Sequence, residues 1–491
     1  MLKLEVIKNI TYNYDCFIIP FASNKKCNNL PKEIQLVVDI AIKAELFKAE
    51  KSEVFVTSVI IKDKIANVLM IGLGEDEKLN NRLIFNYMLS SFSKAKSLKM
   101  TNIAVLWDNI IDLLNYGYCE KACEAAMLTN YEFTLYKSKN SNKPFEAVTF
   151  ISEYEKMTEA IKEAKICVEG TNVARNLIDT PAIIMTPSKM AEEAFKISEK
   201  NNMDCEILGV ESIKQLKMDA FLSVGKGSAN EPKLIVIRYK GDPSNSSVIG
   251  LVGKGLNFDS GGYSMKSSES MYSMHGDMGG AAACIGAMKA ISDMKLKINV
   301  TMVVAACENR VSSNAYLPGD VVRSMSGKFI EIADTDAEGR VTMCDAITYA
   351  IRNEGVDKII DIATLTGSVK GALGNKTAGL ITNNENMHKI LEEASKASGE
   401  KVWLLPLDEE LKYVIDSKKA DMKNCSNGEN AGGGCIVAGL FLQEFVEEKP
   451  WIHIDIAGAE WYHNIANYCS NGSSGFGTRL LYNVFKIMSN K

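Results

Sequence analysis

Apolar and polar positions follow two different rhythms along the chain. From residue 1 to about 155, short apolar runs (VFVTSVII, ANVLMIGLG, NIAVLWD) are separated by stretches such as PKEIQLVVDIAIKAELFKAE, where apolar residues recur at helical spacing. Strands alternating with helices predict an α/β unit. The opening MLKLEVIKNITYNYDCFIIP reads as two short strands. Residues 156 to 180 are charged, carry apolar positions at Met157, Ile161, Ala164 and Cys167, and stop at Pro181, so the spacing predicts one long helix linking two domains. From 181 to 491 the runs become unbroken and rich in Val and Ile: KLIVIRY, SVIGLVG, INVTMVVAAC, KIIDIATL and IHIDIAG. Strands buried on both faces read this way. The expected fold is α/β, with a smaller N-terminal α/β domain and a larger C-terminal domain whose mixed, mostly parallel sheet is covered by helices. Two cores suit 491 residues, because single cores seldom grow past roughly 250 to 300 residues.

Composition narrows the class without changing that picture. Hydrophobic residues make up 46% and charged residues 24%, the profile of an ordinary globular protein. A net charge of −5, without long single-sign blocks, advertises no broad nucleic-acid surface. The first twenty residues lack the basic head, apolar middle and small-residue site of a secretory signal, and no run approaches the roughly 20 apolar residues that span a bilayer. Twelve cysteines are scattered without a CxxC, so free thiols in a reducing cytoplasm are expected. With only four histidines, His275, His388, His453 and His463, and no pair at ligand spacing, a metal site must lean on carboxylates.

In sheets of this kind, ligands collect at the carboxyl ends of the strands. Two polar clusters follow apolar strands. In IEIADTDAEGR, an extended backbone would turn Asp336 and Glu338 to one side, with Gly339 permitting a tight turn, a geometry suited to a hard cation. A solvated acidic turn capping the next helix explains the same letters. The second cluster, GKGLNFDSGGYSMKSSESMYSMHGDMGG, adds Lys254, Asp259, Lys266 and Asp277. Four carboxylates could hold two dications while two lysines temper the remaining charge. Lys254 does not belong to a phosphate loop, which requires GxxxxGK[ST], because Gly255 follows it.

Taken in order, VGKG, FDSGG, DMGGAAA, PGDVV, SMSGK, TDAEGR, ATLTG, ADMKN and HIDIAG resemble the leucyl aminopeptidase family, dinuclear metal exopeptidases of the cytosol. The resemblance is close from about 165 to 485 and only general before that. It implies that Asp259 and Glu338 bridge two divalent metals, Zn or Mn with Mg or Co also accepted, with Lys254 and Asp277 completing one site and Asp336 the other. Lys254 would bind as the neutral amine, its pKa lowered by the cations. Lys266 would polarise the carbonyl, and Arg340 would hold a bicarbonate that shuttles the proton. Met274, Thr364, Leu365, Gly367, Ala457 and Glu460 would line the substrate site, Leu365 and Gly367 through backbone hydrogen bonds. The family likeness further implies peptide substrates with a free N-terminus and a homohexamer of two stacked trimers. The alternative is a regulatory role on DNA, because some relatives bind it, although the acidic balance of this chain opposes that.

The chain departs from the family text at three places. Asp334 replaces the usual asparagine before TDAEGR, His275-Gly276 precedes DMGG, and Glu460 stands where a small or apolar pocket residue is usual. Two accounts follow: Glu460 turns to solvent and Asp334 accepts a backbone hydrogen bond, or Glu460 adds negative charge at the pocket and favours Arg or Lys beside Leu and Met.

Overall fold

The computed structural model describes residues 2–23, 30–139, 143–426, 432–466 and 469–490, with the backbone alone over 461–466 and 469–471. The chain forms two compact units, one of residues 1–168 with 397–399 and 464–470, the other of 169–396, 400–463 and 471–491. The charged segment is a single helix, Met157–Asp179, in which Met157, Ala164 and Cys167 are buried.

The N-terminal unit is built on a six-stranded sheet in the order Lys3–Ile7, Ala147–Ile151, Asn102–Leu106, Cys16–Ala22, Lys64–Gly74, Val54–Ile61. Its pairings are parallel except for the hairpin of the last two strands. That hairpin closes on Lys62 and Asp63, both at positive φ, as a two-residue turn matching strand twist requires. Helices Asn81–Ser97 and Tyr116–Asn130 begin where Asn80 and Asn115 accept backbone N–H groups of the first turn. Their inner faces meet Val105, Val148 and Phe150 of the sheet in one apolar cluster.

The larger unit carries an eight-stranded sheet in the order Lys401–Leu404, Thr377–Thr382, Trp451–Asp455, Lys358–Ala363, Ile249–Asp259, Asn299–Asn309, Lys233–Lys240, Asp204–Leu208. The four central strands are parallel and the flanks mix both senses, so the sheet is mixed with a parallel centre. Helices Gly279–Asp293 and Glu338–Arg352 are buried along almost their whole lengths, which accounts for the unbroken apolar strands beneath them. Between two central strands, Asp361 lies in register with His453; its carboxylate meets His453 Nδ1 at 2.5 Å and accepts from Trp451 Nε1 at 2.5 Å, all three buried.

Two expectations need correction here. The run VIGLVG does not end in a loop, since its strand continues to Asp259 and places Lys254 within the sheet. The strand before TDAEGR, Phe329–Glu331, pairs with Val321–Arg323 and Met422–Lys423 in a separate three-stranded sheet, so its acids reach the site from beside the main sheet. Ten cysteines whose side chains are described form no disulfide, and eight of them are buried. Among the described residues no helix is long and apolar enough to cross a membrane.

Candidate active site

Four elements deliver the charged side chains. Lys254 and Asp259 come from the central strand Ile249–Asp259, and Lys266 from the loop that leaves it. Asp277 sits just before helix Gly279–Asp293. Asp336 lies in a turn, while Glu338 and Arg340 occupy the first turn of helix Glu338–Arg352. The convergence of Asp336 and Glu338 therefore comes from a turn entering a helix rather than from an extended segment. Gly339 has a different use from the one expected: a Cβ there would lie 2.6 Å from Lys254 Cε, so glycine is what lets the lysine cross the helix start.

Oxygen atoms of Asp259, Asp336 and Glu338 lie within 4.8 Å of one another. Two lysines thread this cluster. Lys254 Nζ is 2.8 Å from Asp277 and 3.0 Å from Glu338, and donates to the Thr364 carbonyl at 3.0 Å. Lys266 Nζ is 2.8 Å from Asp259 and 2.5 Å from Asp336. Asp259 is aimed by the Gly261 N–H and the Asn309 amide, each donating to one oxygen at 2.8 Å. The Thr364 hydroxyl donates to Asp277 at 2.8 Å.

Burial and like charge set the protonation of the cluster. Burial first, then neighbouring Asp259, pushes the Glu338 carboxyl up to about 8, and the same causes raise Asp336 to about 6. Asp277 is raised as well, chiefly by burial. Burial opposes the charge on Lys254 and Lys266, yet the surrounding carboxylates outweigh it and hold both ammonium groups above the ordinary lysine range. Burial lowers Arg340. The second oxygen of Glu338 is buried with no hydrogen-bond partner among the described residues. A carboxylate oxygen without a partner among the described residues, beside three further carboxylates and a lysine that donates only as the neutral amine, is a donor set that suits a divalent cation. The residues present fit such ions.

Every site residue singled out in the sequence lines one cleft of about 720 Å³, except Arg340. Arg340 lies buried beside it, donating from Nη1 to the Asn424 carbonyl at 2.9 Å while its Nε has no partner among the described residues. Thr364 and Leu365 follow strand Lys358–Ala363, Gly367 opens helix Gly367–Leu373, and Ala457 and Glu460 follow strand Trp451–Asp455. Asp334 accepts the backbone N–H of Asp336 at 2.8 Å, the backbone hydrogen bond expected of it. Glu460 does not turn to solvent, being 2% exposed.

Two organising residues escaped the sequence reading. Asp455 accepts from the backbone N–H groups of Leu365 and Ala457 and from the Thr366 hydroxyl, tying together the two loops that carry the cleft's uncharged wall. Asn424 accepts from Ala333 N and donates to the carbonyls of Asp334 and Ala337, fixing the turn that bears Asp336. Their signals were present in HIDIAG and ADMKN, but a carboxylate and an amide read there only as family text.

Fold and site together define an α/β protein that gathers acids and lysines at the end of a mixed sheet, in a cluster that could hold a divalent cation. Residues 172–482 match the model of the cytosol aminopeptidase family, catalytic domain, and residues 21–140 that of its N-terminal domain. The chain is 41% identical to a "Probable cytosol aminopeptidase" of Clostridium perfringens, over 99% of this chain and 99% of that protein. It is 39% identical to one from Alkaliphilus oremlandii, over 99% and 100%, and 37% identical to one from Fusobacterium nucleatum, over the full length of both. The chain belongs to the cytosol aminopeptidase family, whose members are metal-dependent peptidases.

Proposed function

We propose that the chain removes N-terminal residues from peptides, with Asp259, Asp336 and Glu338, joined by Lys254 and Asp277, holding two divalent cations, Zn or Mn in the first instance. The observation that carries this reading is the convergence of three carboxylates within 4.8 Å. When bound, the cations supply an activated water and a polarised carbonyl near neutral pH, and bicarbonate supplies a proton relay. The chain's own groups do the rest. Lys266, cationic and at the cleft wall, stabilises negative charge that develops on the carbonyl oxygen. Arg340 would hold the bicarbonate through its Nε, which has no partner among the described residues. Backbone groups of Leu365 and Gly367, steadied by Asp455, align the peptide beside the acids, and Met274, Thr364, Ala457 and Glu460 receive the first side chain. The family likeness supports a homohexamer in the cytoplasm.

The test is hydrolysis of X-Gly dipeptides by metal-verified protein. Asp259→Ala and Glu338→Ala should each abolish activity and lower metal content, because each removes an oxygen from the centre of the cluster. N-acetylated peptides should resist cleavage. Full activity after metal is stripped and its absence verified would sink the two-cation reading.

A further inference from the structure

The cleft contains four buried carboxylates, and three of them face a lysine: Asp259 faces Lys266, while Asp277 and Glu338 face Lys254. Glu460 is the exception. One of its oxygens accepts from the Ser473 hydroxyl at 2.6 Å, and no lysine or arginine lies within ion-pair distance of it among the described residues. Its side chain packs against the start of helix Gly279–Asp293, where a Cβ on Gly279 would come 2.7 Å from Glu460 Cγ. Ser473 and the glycine surface thus fix the carboxyl in one place, and that place is the wall of the substrate cleft.

A buried carboxyl without a cation is costly unless it holds a proton or a ligand brings the counter-charge. From this we infer that Glu460 determines specificity for the first side chain and selects one that ends in a cation, namely lysine, ornithine or arginine. The inference rests on the aminopeptidase reading, which puts that side chain in this cleft. Met274 and Ala457 give the methylene stem an apolar lining, the division of labour long basic side chains use elsewhere. Burial holds the Glu460 carboxyl up at about 8; Ser473 draws it down, and Asp179 and Asp277 raise it further. An incoming ammonium draws out that proton, whereas an uncharged first side chain meets a neutral carboxyl. Leucine and methionine are therefore accepted beside lysine.

Norleucine isolates the cation, because it matches the four-carbon stem of lysine without the ammonium. The experiment measures kcat/KM for Lys-Gly, norleucine-Gly and Leu-Gly with the metal-loaded full chain, its Glu460→Gln and Glu460→Ala variants, and Ser473→Ala. Competition by free L-lysine against free L-norleucine provides a binding readout. The expected result is a Lys/norleucine ratio that falls tenfold or more in both Glu460 variants and by a smaller factor in Ser473→Ala, with the same order in the binding competition. The near-isosteric Glu460→Gln keeps the test valid if Glu460→Ala fails to fold. A ratio unchanged in Glu460→Gln, with Leu-Gly still hydrolysed, overturns the inference and leaves the aminopeptidase reading intact. Failure of the parent protein to hydrolyse any of the three dipeptides overturns the aminopeptidase reading itself.

Discussion

A lysine placed among carboxylates can neutralise, ligate or catalyse, and the two lysines here differ in burial and position. Lys254 is 3% exposed and points at Asp277 and Glu338 from inside the sheet, whereas Lys266 stands at the cleft wall between Asp259 and Asp336. Lys266→Ala and Arg340→Ala should therefore lower kcat on the order of 10²-fold while retaining metal, the usual loss when a transition-state charge partner is removed. Metal analysis beside the kinetics checks this, and loss of metal in either variant would withdraw the role given to that residue. Gly339→Ala is a sharper probe. Its methyl would overlap Lys254 Cε, so Lys254 must move, and both metal content and kcat should fall although no proposed ligand is changed. The residue types of the site were legible in the sequence because TDAEGR and FDSGG are compact and highly patterned. Their geometry was less so: alternation at every second residue suggested an extended strand for Asp336 and Glu338, and the helix that begins at Glu338 decided otherwise.

Loops and helices around the site are held by buried carboxylates that perform no chemistry. Asp455 takes hydrogen bonds from both cleft loops, so Asp455→Ala should raise KM more than it lowers metal content and should cost about 2 to 4 kcal/mol of stability, given about 1 kcal/mol for each hydrogen bond lost and more for donors left unpaired. Denaturant melts and dipeptide kinetics on one preparation test both halves. Asp345 does similar work for helix Glu338–Arg352, accepting from Phe221 N at 2.9 Å and Met325 N at 2.7 Å in full burial. Burial raises its carboxyl from 3.8 to about 7. Between those values the folded chain holds a proton that the unfolded chain has released, so this group makes stability fall as pH rises from about 4 to 7, after which its contribution is flat. The slope attributable to it is about 1 kcal/mol per pH unit. Asp345→Asn should flatten the difference in urea midpoint between pH 5 and pH 7, and an unchanged slope would show that the group does not titrate in that window. The partners of neither residue could be read from sequence, because an acid inside an apolar helix or at a strand end carries no local sign of the backbone groups it will meet 90 or 124 residues away.

At the scale of the whole molecule, the rhythm of apolar runs was enough for the class of fold, because strands covered on both faces leave no polar alternation to misread. Strand order was not legible: the short strand before TDAEGR looked like part of the main sheet and pairs elsewhere, since three residues of alternation carry no information about which edge they join. Light scattering of the purified protein should give six times 53.9 kDa, and a stable monomer at assay concentration would contradict the hexamer. The Asp361–His453 pair has a bearing on how the central sheet assembles. The two residues are 92 apart and reach register only when their strands lie side by side. Slipping one strand by a single residue would set Asp361 against Ile452 or Ile454 and His453 against Ile360 or Ile362, stranding a carboxylate and an imidazole among methyl groups. Removing one partner from a buried ionic pair costs about 3 to 5 kcal/mol, so the misaligned sheet is rejected by a margin that aliphatic strands sliding past one another could never supply. The pair works as a parity check on assembly, a proofreading device between two strands whose other paired positions are largely aliphatic.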